Sequence, residues 1–545
     1  MTHSRDTTFT GDPVTHPMDG GRNLPSRSPV RRNLLLAAGL VLVLGVGAFA
    51  TWAVRATPHV RNRVVDALNE RFASEVGLES LDVSVWPRPS VGGTGLTLRH
   101  NARTDVPPLI SVDRFDASAG VMGLVRKPLH LGTVRLEGLD IQVPPGGLNP
   151  GGKPDDDAHV PHAERPSPIL IDRIESRSAR LQIVSKRPVR LPRTFEIHDL
   201  VMRDFGVPEG ARFEAGLTNP VPRGRVETSG VFGPWHADEP GLTPLHGEYV
   251  FKAADLDAIK GISGILSSIG SYTGVLERIT VEGQTETPDF SIDLAGQPVP
   301  LTTKFTALVD GTNGDTYLER VEARLNNSTI LASGSVVRTE DVKGRHISLD
   351  VRLDGARLED LMQLAVKATR PPLTGRIDLT TKFVLPAGEG DVIERLQLDG
   401  QFELAQARFT NLNVQRRITT LSRRGRGEEN DEGAEGERVV SNLRGRFVMR
   451  DARLTFSALT FSVPGSTVEL RGTYDMRGGT INFIGNLLTD ASLADMTSGW
   501  KSLVARVAQP FFSRPGGGSR LPIKISGPRE KPEFGLDMSR VGRRG

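Results

Sequence analysis

The sequence predicts a mainly β protein held to a membrane by a single N-terminal transmembrane helix, and three features carry that prediction. Residues 33–54 (NLLLAAGLVLVLGVGAFATWAV) contain no charge. Beyond them apolar residues recur with a period of two over most of the chain, with turn-forming residues between the runs. The third is internal reuse: Gly400, Phe402, Leu404, Ala407 and Phe409 return 45 residues later as Gly445, Phe447, Met449, Ala452 and Leu454. Clean alternation means largely antiparallel sheet with one apolar and one wet face, and a reused strand unit favours an elongated sheet over compact domains.

Residues 1–32 are rich in Ser, Thr, Pro, Gly and Arg without apolar periodicity, and read as a disordered cytoplasmic tail. The stretch 33–54 lies between Arg32 and Arg55. At about 1.5 Å per helical residue it reaches roughly 33 Å, enough for a hydrocarbon core of about 30 Å. Arg22, Arg27, Arg31 and Arg32 precede it and Arg55, Arg61 and Arg63 follow, a balance that weakly favours a cytoplasmic N-terminus. Ala48-Phe49-Ala50 also fits a signal-peptide cleavage site, but the apolar run exceeds the usual h-region of roughly 7–15 residues. Either reading exports the body.

Residues 55–143 form a first β module. It opens with an amphipathic helix: Thr57 and Pro58 serve as N-cap and first-turn proline, and Val60, Val64, Leu68 and Phe72 follow at helical spacing. From Leu81 the period becomes two. Leu81, Val83 and Val85 alternate with polar residues, and Val134, Leu136, Leu139, Ile141 and Val143 make two short strands with a slip at Gly138. Residues 144–168 are a Pro/Gly/Asp-rich flexible loop, so His159 and His162 beside its carboxylates hold no fixed metal geometry.

The alternation is clearest in a central β region, 169–394, and a C-terminal one, 395–537, ahead of a tail at 538–545. Ile347, Leu349, Val351 and Leu353 show it, as do Ile377, Leu379, Phe383 and Leu385, and later Leu521, Ile523 and Ile525. Asp310 to Asp315 carries the Asn-Gly of a type I′ hairpin turn and lacks the terminal Glu of a calcium loop. Ile259, Ile262, Leu266 and Ile269 predict a helix near 255–270, although Gly261 and Gly264 each cost it up to about 1 kcal/mol. Leu358–Ala368 and Trp500–Ala508 predict two more. Residues 416–438, arginines followed by acids, read as a solvated insertion that neutralises itself.

So few helices cannot cover the apolar face of so much sheet. A second sheet, closure into a barrel, or a curved sheet whose trough holds an apolar ligand would each cover it. About 25 strands stacked at about 4.8 Å would give a sheet on the order of 120 Å long.

Composition narrows the chemistry. With no cysteine there is no disulfide, thiol catalysis or cysteine metal site. The net charge of +3 is spread out and leaves no nucleic-acid footprint. The eleven histidines form no H-E-x-x-H pair. There is also no G-x-S-x-G elbow and no P-loop, so neither a catalytic residue, a metal ligand nor a cofactor site is predicted.

The order of pieces resembles the AsmA-like family, bacterial single-span proteins related to bridge-like lipid-transfer proteins. The resemblance covers residues 34–143 and 395–537. Over the former it rests on the span, Val76-Gly77-Leu78, Val83 to Trp86, Pro89 to Leu98, Leu109 to Val112, and Leu124 to Val143 with its Leu136-Glu137-Gly138 turn. Over the latter it rests on Gly445 to Leu459, Val463-Pro464-Gly465, Leu470-Arg471-Gly472, Ile481 to Leu488, Asp490-Ala491-Ser492 and Leu521 to Gly527. The resemblance implies an inner-membrane anchor, a periplasmic body and a long curved β-groove with an apolar floor that carries or shields phospholipid between membranes. It further implies a role in outer-membrane biogenesis and envelope integrity, with phospholipids, the inner membrane and other envelope proteins as partners. A non-transporting scaffold for outer-membrane protein assembly is the other expectation. The candidate floor residues are Leu349, Val351, Phe383, Phe402, Leu404, Phe409, Phe447, Leu454, Phe461, Phe483 and Ile523.

Overall fold

The structure, a computed structural model, describes residues 62, 64–71, 74–84, 90–100, 107–143, 167–183, 193–365, 370–428, 439–492 and 517–537, less positions 121, 124–125, 237–238, 293–294, 340–341, 372, 411 and 529–530. The span at 33–54, both tails, the loop at 144–166, residues 429–438 and the expected helix at Trp500–Ala508 lie outside these. The chain divides into two compact units, Met1–His59 and Val60–Gly545, and the second contains all the described strands. Among the described residues no helix is long and apolar enough to cross a membrane.

Period-two patterning produces one long curved sheet. β1 (Ser74–Gly77) and β2 (Ser80–Ser84) pair with β3 (Ser90–His100), which pairs with β4 (Ile110–Ser118). β5 (Leu129–Glu137) and β6 (Asp140–Val143) follow. Gly138 interrupts them at φ +67°, in the left-handed region that favours glycine, so the expected slip is present. Both run parallel to β7 (Ile169–Ile183), the one parallel step among the described residues. From there each strand is antiparallel to its neighbour: β8 (Arg193–Phe205), β9 (Ala211–Pro220), β10 (Arg223–Phe232) and β11 (Pro244–Asp255). β12 (Ile262–Ser263) and β13 (Ile265–Val275) share one place beside β14 (Arg278–Ile292). Then come β15 (Ala295–Val309), β16 (Thr316–Leu325), β17 (Ser328–Arg338), β18 (Arg345–Arg357) and β19 (Leu373–Leu385). β20 (Gln397–Phe409), β21 (Ser441–Arg450), β22 (Arg453–Val463), β23 (Ser466–Asp475), β24 (Thr480–Thr489), β25 (Ser519–Pro528) and β26 (Glu533–Leu536) complete it. Because three pairs of short strands share a place, the contour is roughly 105 Å at about 4.8 Å per strand, shorter than the sequence estimate.

Helices lie on one face of this sheet. Helix α1 (residues 64–71) packs Val64, Ala67 and Leu68 onto Leu81, Val91, Val112 and Phe115 in the largest buried cluster. Helix α2 (Leu358–Ala365) sets Leu358 and Leu361 against Leu353, Ala356 and Ile377. After the single turn α3 (Val392–Arg395), α4 (Leu412–Arg426) sets Ile418 and Leu421 against Val463, Phe409 and Phe461.

Three sequence expectations need correction. Residues 255–270 are not a helix but a 3₁₀ turn at Leu256–Ala258 leading into β12 and β13. Gly261 and Gly264 sit at φ +97° and +129°, which a helix cannot contain, and β13 finds partners on both edges. Ile269 shows the cost of reading spacing alone: it is 47% exposed on the wet face. The charged segment begins as helix α4, because Ile418, Leu421, Ser422 and Gly425 share one helical face opposite the arginines. Asp310–Asp315 is a wider connection than a two-residue I′ turn. The Asp310 carboxylate accepts from Thr312 N (2.8 Å), Thr312 Oγ1 (2.6 Å) and Asn313 Nδ2 (2.6 Å), which holds the chain open there.

Small residues set the register. Ala253, Gly355 and Gln406 have positive φ, and each precedes a fully buried alanine, Ala254, Ala356 or Ala407, at a register shift. Each bulge adds a residue without swapping the faces beyond it. On the apolar face, glycines admit neighbouring backbone. A Cβ on Gly485 would press into the Glu469 carbonyl oxygen, whereas one on Gly216 meets nothing. We expect Gly485→Ala to cost about 1–3 kcal/mol and Gly216→Ala to stay within about 0.5 kcal/mol, measured by thermal denaturation.

Candidate functional site

Following the register from strand to strand defines the site, which is a face and not a pocket. One row of directly opposed residues runs Val83, Val91, Ala117, Val134, Ile174, Met202, Phe213, Gly230, Gly247, Tyr272, Val281, Ala307, Leu318, Gly334, Leu349, Phe383, Leu398, Met449, Leu454, Tyr474, Ile481, Gly527. No residue in it is charged. The next row on the same face passes Phe115, Leu136, Leu200, Thr228, Tyr249, Phe305, Val321, Val351, Phe447, Phe456, Phe483 and Ile525 to Phe534, with Gly or small residues between, and is equally uncharged.

All eleven candidate floor residues stand on this face. Leu349, Phe383 and Leu454 belong to the first row, and Val351, Phe447 and Phe483 to the second. Phe402 and Ile523 share a third row through Gly445, Leu459, Leu470 and Gly485. Leu404 and Phe461 share a fourth through Leu443. Phe409 meets Phe461 edge-on, ring centroids 6.5 Å apart. They are not equivalent. Leu404 is 2% exposed and belongs to the core beneath α2, while Phe409 and Phe461 lie under α4. Leu349, Val351, Phe383, Phe402, Phe447, Leu454 and Ile523 are half-buried.

Aromatic rings and glycines share this face reciprocally. Gly400 opposes Phe447 and Phe402 opposes Gly445, whose Cβ would lie 3.0 Å from the Phe402 ring. Upstream, Gly247 opposes Tyr272 and Tyr249 opposes Gly270. Phe402, Phe447, Phe456 and Phe483 then form a chain of rings with centroids 6.2, 6.4 and 5.8 Å apart. The last contact skips β23, where Gly472 leaves the gap that both rings fill.

The polar atoms of the face are turned on one another. Thr228 Oγ1 donates to the Glu248 carbonyl at 2.8 Å, so it accepts from Tyr272 Oη at 2.7 Å. Ser268 Oγ donates to the Gln284 carbonyl at 3.1 Å and accepts from Tyr249 Oη at 3.1 Å. Burial pushes both phenols above their ordinary pKa, so they remain neutral donors. The opposite face carries the charge. Arg203 donates to Glu214 at 2.7 Å and Lys252 to Glu227 at 2.8 Å, and these hydrogen bonds hold both carboxyls below their usual range. A depression of about 850 Å³, lined mainly by that face with Asp350, Arg352, Lys382, Asp399 and Arg446, mixes both signs and offers no defined ligand chemistry.

Sequence reading missed the Tyr249, Tyr272, Thr228 and Phe305 part of the face. For the two tyrosines the signal was there as Gly-x-aromatic: Gly247-Glu248-Tyr249 and Gly270-Ser271-Tyr272, as in Gly400-Gln401-Phe402, Gly445-Arg446-Phe447 and Gly472-Thr473-Tyr474. Among the described residues no cluster of three or more His, Asp or Glu could hold a metal. No family model matches the chain, and no curated protein or solved structure matches it either.

Core and floor separate in their energetics. Leu404→Ala should cost about 2–5 kcal/mol because it leaves a cavity. Phe447→Ala should cost about 1–1.5 kcal/mol, because a half-buried ring gives up only part of its transfer energy. Urea midpoints at unchanged slope test this, and the reverse order would mean that Phe447 lies in a closed core.

Proposed function

We propose that the chain is a membrane-tethered envelope protein that carries or shields phospholipid acyl chains along the uncharged face of its sheet. The observation behind this is the continuity of the uncharged rows from Val83 to Gly527 and from Phe115 to Phe534, with half-buried Phe and Leu side chains and internally satisfied hydroxyls. A face built only to fold would need a cover of similar length, and among the described residues α1, α2 and α4 cover parts of it. Acyl chains would regain there the burial they have in a bilayer, at about 0.8 kcal/mol per CH₂. The uncharged stretch 33–54 supplies the tether in this reading, and a periplasmic body is what the resemblance to AsmA-like proteins implies.

The second reading, a scaffold without cargo, draws on the closed N-terminal core that α1 joins, where Val91, Ala117, Ile169 and Ala179 are each 1% exposed. Lipid mass spectrometry separates the two. The full chain purified in mild detergent should carry phospholipid well above an unrelated single-span β-protein. Phe305→Asp with Phe447→Asp should strip most of that lipid at unchanged circular dichroism. Lipid content equal to the control's would leave the scaffold reading.

A further inference from the structure

We infer that the trough is clasped shut where Gly261 meets α3, and that a phospholipid reaches the floor beneath only when this clasp opens, an inference that rests on the lipid-carrier reading above. Because neighbouring strands run antiparallel, their connections fall alternately on two long rims. The first rim carries the 3₁₀ turn at Leu256–Ala258, α2 and α4, and the second carries the β10–β11 and β13–β14 connections and α3. Gly261 therefore belongs to the first rim and Val392 to the second, with β14, β15, β16, β17 and β18 between β13 and β19. A Cβ on Gly261 would nevertheless lie 3.7 Å from Val392 Cγ2, an ordinary van der Waals contact.

Rims so far apart along the sheet can touch only if it curls. The separation is about 29 Å across the strands, at about 4.8 Å each, and roughly 40 Å along them for a strand of about 12 residues. Rolled up, that diagonal gives a turn of about 50 Å, or a radius of roughly 8 Å to the backbone. The apolar face lies inside: Phe456 and Phe483 stand two strands apart, about 9.6 Å, yet their ring centroids are 5.8 Å apart. Side chains largely fill a bore of that size, which leaves room for a slender ligand but not for two acyl chains with a headgroup.

The same relation recurs nearer the N-terminus. Arg71, just ahead of β1 on the first rim, donates from Nη1 to the Trp235 carbonyl on the second at 3.3 Å, and its guanidinium carbon stands 6.0 Å from the centre of the Phe205 ring. Two contacts of the same sense make the curl a property of the sheet. The clasp at Gly261 is the lighter one, and only one of its sides is anchored. Arg477 in the β23–β24 turn pairs with Glu394 of α3 at 3.0 Å, and Arg395 Nε donates to the Gly390 carbonyl at 2.9 Å. On the other side Gly261 and Gly264, at φ +97° and +129°, flank the two-residue β12, and Ile259 is 39% exposed. Glycines in that position can absorb the backbone rotation of a hinge.

The chain has no cysteine, so an introduced pair is unique. G261C/V392C, and separately K260C/V392C, which keeps the glycine, are joined by a short thiol-cleavable bis-methanethiosulfonate, with benzoylphenylalanine in place of Phe305 on the floor between β13 and β19. The delipidated full chain in mild detergent is offered deuterated phosphatidylglycerol in mixed micelles, and the photo-adduct is measured by mass spectrometry. The adduct should form in the unlinked variants, be lost on linking and return on reduction. Linking G344C/A387C, neighbours on the second rim alone, should change nothing. An adduct unaffected by the link overturns the clasp and leaves the carrier reading intact, and so does phospholipid uptake without any adduct at position 305. Failure of both clasp pairs to link, where the same-rim pair does, shows that the rims stay apart and also overturns it. Wild type that takes up no phospholipid removes the carrier reading and the clasp with it.

Discussion

Register is the constraint on which this structure depends. Side chains alternate with a period of two, so a slip of one residue in any strand would turn its charges onto the apolar face. The rows through Phe383 and Phe447 contain no such error across the sheet, although individual strands bend, shift and bulge. The bulges preserve the rows by pairing a left-handed residue with a buried alanine, as at Gln406-Ala407. The extra residue bends the strand while the faces before and after it stay in phase. Curvature and an uninterrupted uncharged face are therefore obtained from the same device.

Glycine placement solves a second problem that curvature creates. Rings standing on neighbouring strands crowd as a sheet bends towards them, and an unbroken line of phenylalanines could not be accommodated. Alternating each ring with a glycine on the facing strand gives it room, as Phe402 lies over Gly445 and Tyr249 over Gly270. Antiparallel pairing makes the relation automatic. A Gly-x-aromatic triplet on one strand meets the same triplet reversed on the next, so each aromatic finds the other's glycine. The repeat at residues 400 and 445 is the written form of this contact.

Alternation made the strands legible, and the pieces that depended on it alone were read correctly: the slip at Gly138 and the strands carrying Leu349 and Phe483. What failed needed information that period does not contain. Ile259, Ile262, Leu266 and Ile269 fit a helical stripe by spacing, and only their glycines and the partners on either side of β13 reveal a strand. In α4 the apolar stripe is short and outnumbered by arginines, so composition hid a helix that tertiary packing fixes. Candidate floor residues could be assigned to a face from sequence, because parity decides that. Whether a residue on that face is open floor or covered core depends on which helix crosses it, and this separates Phe447 from Leu404.

Open floor and covered core differ in what they can hold. If the whole face were closed like the cluster around Val91 and Ile169, its burial would be complete and it would hold nothing but itself. Midway along the sheet the residues change character: hydroxyls of Thr228, Tyr249, Ser268 and Tyr272 bond to one another or to backbone, and the rings lie beside glycines. A hydroxyl whose proton is already donated offers water less than a free one, and a glycine offers no side chain to grip. The middle of the face is accordingly smooth and weakly featured, whereas the C-terminal part presents the half-buried Phe402, Phe447 and Phe456 rings beside the buried Phe483. A chain of methylenes on such a surface meets similar apolar contact at every strand, so no strand holds it much more tightly than the next. On the proposed lipid-carrier reading, continuity without a deep pocket is what would let a long apolar ligand move, and charge-free rows would supply it more directly than any single cavity.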